Sequence, residues 1–283
     1  MTSHRTPLFC DAALALRIER VESELISKGS AAARFRRGDD KGFVIPLAGG
    51  IASYADENSP LNKVAGLGFG GIPAEAALDE IERAYFALGA PVQVELAHLV
   101  DPALGQLLSA RGYRLEGFEN VLGLAISSDM ERVPPAGVEI RSSGEDEFDE
   151  WIDLVAAAFA APDTQGAASH EEFPREVIAA AMRDFVSAAG VARYSAWRDG
   201  ELAGGASVRI SDGVAQLTGA ATAFTHRRNG VQTALLAVRL ADAAAAGCDV
   251  AVVTTQPGSK SQQNVQRQGF DLLYTRAVLV KQP

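Results

Sequence analysis

The chain has 283 residues, a formal net charge of −10 and a hydrophobic content of 47%. This length fits two domains of about 140 residues each, and the hydrophobic content is typical of a globular protein rather than a disordered one. The negative charge argues against nucleic acid and membrane surfaces as partners, because both are polyanionic.

The first part of the chain, residues 1–130, alternates between helix and strand patterns. Pro73 and Gly89 bracket one of the helices, as expected for a first turn and a stop signal. In chain order we predict the helix "ALALRIERVESELISKG", the strands "GFVIPLAGGIASYA" and "NKVAGLGF", the helix "PAEAALDEIERAYFALG", the strand "PVQVELAHL", the short helix "DPALGQLLSARGY" and the terminal hairpin "RLEGFENVLGLAI".

A linker over residues 131–136 separates this unit from a second one, residues 137–283. The linker contains the pair Pro134-Pro135. Two consecutive prolines do not fit the interior of a helix or of a central strand. We therefore predict two folding units.

The second unit has clearer element signals. Two helices follow the strand "GVEIRS", and the turns "RDGE" and "SDGV" then predict three antiparallel strands, because Asp-Gly supplies the positive φ of tight hairpins. A helix from about Asn229 to Ala246 comes next. The continuous apolar run "CDVAVVTT" predicts a buried strand, followed by the short helix "SKSQQNVQRQG" and the terminal hairpin "FDLLYTRAVLVK".

The stretch "HRRNGVQTALL" lies where a strand passes into a helix. The first amides of a helix lack intrahelical partners and carry a partial positive charge, and Gly230 lets the backbone approach a ligand closely. Arg227 and Arg228 would add charge-assisted hydrogen bonds. The amides of Asn229 to Thr233, with Val231 and Gln232 between them, are therefore predicted to bind a pyrophosphate.

The element order and "RRNGVQTALL" together resemble the GNAT family of acyl-CoA-dependent N-acetyltransferases. The family motif, Gln/Arg-x-x-Gly-x-Gly/Ala, corresponds here to Arg227, Gly230 and Gln232, and Gln232 departs from the small residue at the third position. A late Gly-Phe before the last strands, in "SQQNVQRQGFDLLYTR", is similar to a second family signature. The resemblance covers about 150 residues and implies an α+β fold, layered α/β/α, with a mixed, largely antiparallel GNAT-like sheet.

The resemblance also implies a cosubstrate, acetyl-CoA, and a set of residues around it. The pantetheine arm would lie along the strand "TGAATAF" by strand addition, and the short helix near the C-terminus would contact the arm through Ser261 and Asn264. The strand positions implied for the arm are Ala221, Thr222, Ala223 and Phe224.

The acid and the base are less evident. Where many family members carry the tyrosine that protonates the thiolate, this chain has Val265, so Tyr274 is the candidate acid, with Ser259 and Ser261 as weaker ones. A bound water or a loop residue, His170, Glu171 or Glu172, would act as the base. Such enzymes also work largely by positioning their substrates.

The first unit resembles a degenerate copy of the second, which predicts two tandem GNAT-like domains. "ARGYRLEGFENVLGL" parallels "RQGFDLLYTRAVLV". Gly68, Gly70 and Gly71 precede its main helix and could approach a phosphate, but no arginine is present there, and Glu75 and Asp79 soon follow. We expect this unit to shape or cover the substrate cleft.

The predicted function is transfer of an acetyl group to the amine of a small molecule or peptide. Two alternatives stay open: a non-catalytic acyl-CoA sensor, and a nucleotide-binding α/β protein, which the antiparallel hairpins disfavour. Cys10 and Cys248 lack metal-like spacing, so no metal site is expected. No signal peptide or membrane span is predicted, the expected location is cytoplasmic, and a homodimer is left open.

Overall fold

The computed structural model of the protein describes residues 6–128, 130, 135–160, 165–166, 172–187 and 190–283. No helix in these described ranges combines the length and the apolar character needed to cross a bilayer. The predicted linker falls largely outside them, and Pro134 with it.

The N-terminal half opens with a long helix that caps itself. The side chain of Asp11 accepts a hydrogen bond from the amide of Leu14, and Gly38 ends the helix with a positive φ of 68°. The elements of this half are α1 (Ala12–Arg37), β1 (Phe43–Leu47), β2 (Gly50–Tyr54), β3 (Lys63–Ala65), α2 (Glu75–Phe86), β4 (Val92–Ala97), α3 (Ala103–Ala110) and β5 (Arg114–Ala125).

The C-terminal half follows the predicted order up to its last strand. Both Asp-Gly pairs, Asp199-Gly200 and Asp212-Gly213, have positive φ at both residues, so the two tight hairpins are confirmed. The elements are β6 (Glu139–Ser142), α4 (Phe148–Ala160), α5 (Arg175–Ser187), β7 (Val191–Arg198), β8 (Glu201–Ser211), β9 (Val214–Thr222), a 3₁₀ turn (Phe224–His226), α6 (Val231–Ala245), β10 (Val250–Thr255), α7 (Lys260–Arg267) and β11 (Asp271–Lys281).

The two predicted terminal hairpins are wrong, because each segment forms one long strand. The strands form an 11-stranded sheet in the order β1-β2-β3-β4-β11-β5-β10-β9-β8-β7-β6. The last strand of each half therefore inserts into the other half: β5 pairs with β10, and β11 pairs with β4. Each of these two strands is paired along both of its edges with strands of the other half. Its segment therefore does not need to fold into a hairpin.

Helices cover both faces of the sheet. The face covered by α1, α4 and α5, here called the α1 face, includes Val121, Val214 and Val252 among residues packed on α1. On the opposite face, here called the α6 face, α6 packs on Ala215 and Ala251, and α2 packs on the same side of β4. The predicted α/β/α layering with a mixed sheet is confirmed.

Two strand pairs in this sheet are parallel, and both are short. β9 pairs with β10 only over three residues, Val214 to Gln216, and β3 pairs with β4 at a single position, Val64 with Val94. In each parallel pair, a helix on the α6 face connects the first strand to the second. The strands of the sheet therefore separate beyond a short pairing at two places, one in each half.

The division of the chain into domains 1–130 and 137–283 stays a prediction. Each half contributes its last strand to the other half's part of the sheet. A boundary in the sequence therefore does not coincide with a boundary in the sheet.

Candidate functional site

The split between β9 and β10 defines the candidate site. The two strands pair from Val214 and Val250 to Gln216 and Val252 and then separate. Beyond this vertex, β9 remains paired with β8 as far as Thr222, while β10 remains paired with β5 as far as Thr255. A wedge therefore opens between two strands that are each held from outside.

The open edge of β9 offers backbone groups for hydrogen bonding. The amide of Ala223 donates to the carbonyl of Ala203 at 2.9 Å, on the β8 side. Because neighbouring residues of a strand direct their N–H and C=O groups to opposite edges, those of Thr222 point into the wedge. An extended ligand could add there as a strand. Ala221, by contrast, is buried beneath α4 with Trp151.

The loop between β9 and α6 turns sharply at two residues. Arg228 has φ 64° and Gly230 has φ 79°, a region that disfavours residues with a Cβ. A Cβ at Gly230 would also lie 3.1 Å from the Cβ of Pro135. Both observations favour glycine at the position where α6 begins.

The N-terminus of α6 is uncapped by any side chain. Its first intrahelical bond is the one from the amide of Ala234 to the carbonyl of Gly230, at 2.9 Å. The amides of Val231, Gln232 and Thr233 precede that bond and are left for a ligand. With the positive end of the helix dipole, they form an anion-binding position.

Two arginines border this helix start. The Arg228 side chain is exposed. The Arg227 guanidinium lies 5.3 Å from the centre of the Phe224 ring, and Phe224 is itself 82% exposed. A cation against an exposed ring, with a second, exposed arginine next to it in the chain, gives a surface suited to a charged, partly apolar ligand.

A groove of about 460 Å³ lies beside the arginines. One wall consists of small and aliphatic residues of α4, and the other comes from the end of β9 and the loop after it. The lining residues are Leu154, Ala157, Ala158, Thr222, Ala223, Phe224 and Arg227. Four of these were predicted to contact the ligand, whereas the α4 wall was missed, although its alanine run "VAAAFA" could have indicated a helix face without large side chains.

The short helix α7 is tied to the start of α6. The Asn264 side chain donates to the Oε1 atom of Gln232 at 2.7 Å, so the residue that departs from the family motif is held across to α7. Ser259 caps α7 by accepting from the amide of Gln262 at 3.2 Å, and Ser261 is exposed.

Tyr274, the acid predicted from the sequence, is enclosed in the core between the sheet and α1. It is 1% exposed, and its hydroxyl donates to Glu19 of α1 at 2.7 Å. Burial raises the Tyr274 pKa well above its usual value, with the Glu19 carboxylate adding to the shift. Because the phenol is enclosed and already bonded, this position argues against Tyr274 as the acid for a leaving thiolate.

The other acid and base candidates are only partly placed. Val265, at the position of the family tyrosine, is 6% exposed and packs in the core. His170 and Glu171 lie outside the described residues, and Glu172 is exposed just before α5. Among the described residues, no group of three His, Cys, Asp or Glu side chains has the arrangement of a metal site.

Comparison with known proteins agrees with this geometry. A sequence model described as an acetyltransferase (GNAT) domain matches residues 139–259, which include the wedge, the arginines and α6. No curated protein matches the chain. The C-terminal half therefore carries a domain of the GNAT family.

Solved structures extend the likeness to the whole chain. A GCN5-related N-acetyltransferase from Kribbella flavida has 20% identity and a TM-score of 0.61, with coverage of 90% of this chain and 95% of that one. A tandem GNAT protein from the clavulanic acid biosynthesis pathway has 13% identity and a TM-score of 0.59, with coverage of 90% and 87%. The chain thus has the fold of tandem GNAT proteins.

Proposed function

We propose that the protein is an N-acetyltransferase that moves an acetyl group from acetyl-CoA to the amine of a small molecule or peptide. The observation that carries this proposal is the wedge between β9 and β10, which leads directly to an uncapped helix start bordered by two arginines. In an acetyltransferase these features hold the two ends of one extended thioester.

Each part of the site has a distinct role in this proposal. The amides of Val231, Gln232 and Thr233 and the Arg228 guanidinium hold the pyrophosphate. The open edge at Thr222 bonds the amides of the pantetheine arm, and the α4 wall of the groove excludes water from its apolar part. The thioester then extends into the wedge towards its vertex, where an amine can reach it. Positioning of this kind accounts for a large share of the rate in a bimolecular transfer.

Calorimetric titration with CoA tests the anion-binding part. A charged hydrogen bond contributes roughly 1.5–3 kcal/mol, so Arg228→Ala should weaken CoA binding about tenfold or more. Arg114→Ala, at an exposed position on β5, is the matched control and should bind CoA like the wild type. Unchanged affinity in the double variant Arg227→Ala, Arg228→Ala would contradict the proposal.

A second candidate is a sensor that binds acyl-CoA without turnover. It is favoured by the buried valine at position 265 and by the enclosed hydroxyl of Tyr274. Incubation of the protein with acetyl-CoA and a mixture of metabolite amines, followed by a search for products heavier by one acetyl group, separates the two functions. Tight CoA binding with no acetylated product identifies the sensor.

A further inference from the structure

The α1 face of the wedge contains an uncovered floor. Thr254 belongs to β10, in the middle of the sheet, and by strand alternation its side chain points to the α1 face together with Val252. Val252 is buried under α1, whereas Thr254 is exposed. Among the described residues, α1 therefore covers Val252 but leaves Thr254 accessible from this side of the wedge.

A carboxylate from the N-terminal half stands at the vertex beside that floor. Gln216 is the last residue of β9 that pairs with β10, and its Nε2 atom donates to Oε2 of Glu22 at 2.8 Å. Arg209 donates to the Gln216 Oε1 atom at 2.9 Å and to the carbonyl of Val21 at 3.1 Å. The amide of Gln216 is thus fixed in one orientation, with its donor side turned to Glu22.

Charged groups from several elements act on Glu22. Burial raises its pKa, while the nearby Arg276 opposes the shift and Glu95 adds to it. Unlike the fully enclosed Glu19, Glu22 keeps part of its surface open to solvent. The charged and polar groups that face it from the packed elements are Glu19 on α1, Lys63 on β3, Glu95 on β4, Glu119 on β5, Arg276 on β11, Gln216 on β9 and Arg209 on β8.

We propose that Glu22 accepts the proton of the incoming ammonium group, so that the N-terminal half supplies the general base to a site whose cosubstrate is held by the C-terminal half. This inference rests on the proposed acetyltransferase function. Two features suit Glu22 to this role. It is a carboxylate bonded to the vertex residue Gln216, to which the thioester would extend, and it is partly open to solvent on the face of the sheet where Thr254 is exposed.

The chemistry balances without a further reactant. The ammonium group gives one proton to the Glu22 carboxylate and becomes a neutral amine. Its lone pair forms the C–N bond to the thioester carbonyl carbon, and the C–S bond breaks. The attacking nitrogen then loses one of its two remaining protons, which neutralises the CoA thiolate, and keeps the other in the amide product, while Glu22 later returns its proton to solvent.

A pair of simple amines tests the role of Glu22. Methylamine is mostly an ammonium ion at pH 7, whereas methoxyamine is already neutral and needs no base before it attacks. Thiol release from acetyl-CoA would be followed with each amine, and again with any acceptor found in the product screen. General base catalysis contributes about 10²–10⁴ in rate, so Glu22→Gln should slow methylamine acetylation at least about a hundredfold and methoxyamine acetylation far less.

The pH profile provides the second readout. The deficit of Glu22→Gln should shrink as the pH rises, because more of the methylamine is then neutral in solution. Gln at this position keeps an oxygen that accepts from Gln216, and Glu116→Gln, at an exposed position on β5, is the matched control. Glu119→Gln tests whether the neighbouring carboxylate on the same face of the sheet, rather than Glu22, is the base.

Each outcome has a consequence. Equal slowing of both amines, no slowing, or a larger effect in Glu119→Gln would overturn the role of Glu22 while the acetyltransferase function stands. A wild type that binds acetyl-CoA but acetylates neither methylamine, methoxyamine nor any amine in the screen contradicts the proposed function itself. Calorimetric titration with acetyl-CoA must show unchanged affinity in Glu22→Gln, because this residue lies away from the arginines.

Discussion

The junctions β3–α2 and β9–α6 have the same topology but present different chemical groups at the start of the helix. In each half a parallel strand pair ends early and the chain turns into a helix on the α6 face, at β3–α2 and at β9–α6. The C-terminal junction presents uncapped amides and two arginines. The N-terminal junction uses its backbone groups internally.

The glycines of the N-terminal junction serve close packing of two backbone segments. The amides of Gly68 and Gly70 both donate to the carbonyl of Ala48, at 3.1 and 2.9 Å, and the amide of Gly71 donates to Gly68. A Cβ on Gly70 would lie 2.6 Å from the backbone nitrogen of Gly49. The loop is therefore filled from within, and its glycines do not indicate a phosphate site.

Charge separates the two junctions further. The first turn of α2 carries Glu75, which itself suits the positive end of the helix and competes with an anion. Asp79, one turn on, pairs with Arg111. The same strand–helix topology is therefore compatible with an anion site but does not by itself create one. The difference depends on the side chains around the start of the helix and on the hydrogen bonds within the preceding loop.

The centre of the sheet shows how the halves depend on each other. Counted from Gly112 and Gly269, the repeated segments place Glu119 and Arg276 at equivalent positions, and these two residues face each other across the β5–β11 pair. Arg276 approaches Glu119 at 3.6 Å and Glu19 at 2.7 Å, with Arg276 and Glu19 almost fully buried. The equivalent positions of the two repeated segments therefore carry opposite charges, Glu119 and Arg276, which pair with each other.

The largest effect is expected from separating the halves. In a fragment of residues 1–130, β5 would lose both neighbours, β10 and β11, and in a fragment of residues 137–283, β11 would lose both β4 and β5. Unpaired strand edges promote aggregation. We expect neither fragment to fold alone, and the two together, when co-expressed, to form a 1:1 complex that binds CoA.

Size-exclusion chromatography and circular dichroism of the separate and co-expressed fragments measure this. The intact chain, cleaved after purification within 131–136, is the control and should stay associated. A folded, monomeric 137–283 fragment that binds CoA would mean that the exchange of strands is dispensable.

Local signals predicted most elements of this fold, and the exchange of strands lay beyond them. The Asp-Gly turns, the glycine stops and the apolar periodicities depend on neighbours in the chain, so they placed the helices, the two tight hairpins and the junction between β9 and α6. Each of the segments "FDLLYTRAVLVK" and "RLEGFENVLGLAI" suggested a hairpin, because within its own half a strand of that length would pair most simply by folding back on itself. The partners of both strands came from the other half, which no local pattern reveals.

The same reason limits what the sequence reveals about the site. Tyr274 is a candidate acid by its chemistry and its place after the late Gly-Phe, while its partner Glu19 lies 255 residues away in the sequence. Glu22 resembles any other polar residue of an amphipathic helix. Gln216, a long polar side chain within the strand pattern "VAQLTGA", was the one local signal that a buried polar partner was required.

An intermediate effect on stability, with little effect on turnover, is expected for Tyr274→Phe. Tyr274 belongs to the C-terminal half but bonds to Glu19 of the N-terminal half, so this variant tests whether that contact stabilises the fold or takes part in catalysis. The change removes one buried hydrogen bond to a carboxylate, so the free energy of unfolding should fall by about 1.5–3 kcal/mol. The turnover number should change by less than about threefold, far below the 10²–10⁴ typical of a lost general acid.

Urea denaturation and steady-state acetyl transfer report these two quantities on the same preparation. Tyr113→Phe is the comparison variant, since Tyr113 is also a buried tyrosine but packs with α2 on the opposite face of the sheet. A hundredfold loss of turnover with unchanged stability would restore Tyr274 as the acid.

The smallest effect is expected in the pH dependence of stability. Burial raises the pKa of Glu119 from 4.5 to about 7, with Glu95 adding to the shift and Lys63 and Arg276 opposing it. The folded state therefore holds a proton that the unfolded chain releases between pH 4.5 and 7. Stability from this group is fully present below pH 4.5 and is lost as the pH rises towards 7.

Glu119→Gln removes that titration while keeping the size of the side chain. The variant should lose less stability than the wild type as the pH is raised from 4.5 to 7, whatever its absolute stability, because the neutral amide does not ionise beside Glu95. Thermal unfolding across this range gives the slopes directly, and Glu116→Gln, an exposed carboxylate on the same strand, should follow the wild-type slope. Parallel slopes for the Glu119 variant and the wild type would show that Glu119 is already ionised in the folded protein, and that the central Arg276 holds three carboxylates as anions rather than sharing a proton among them.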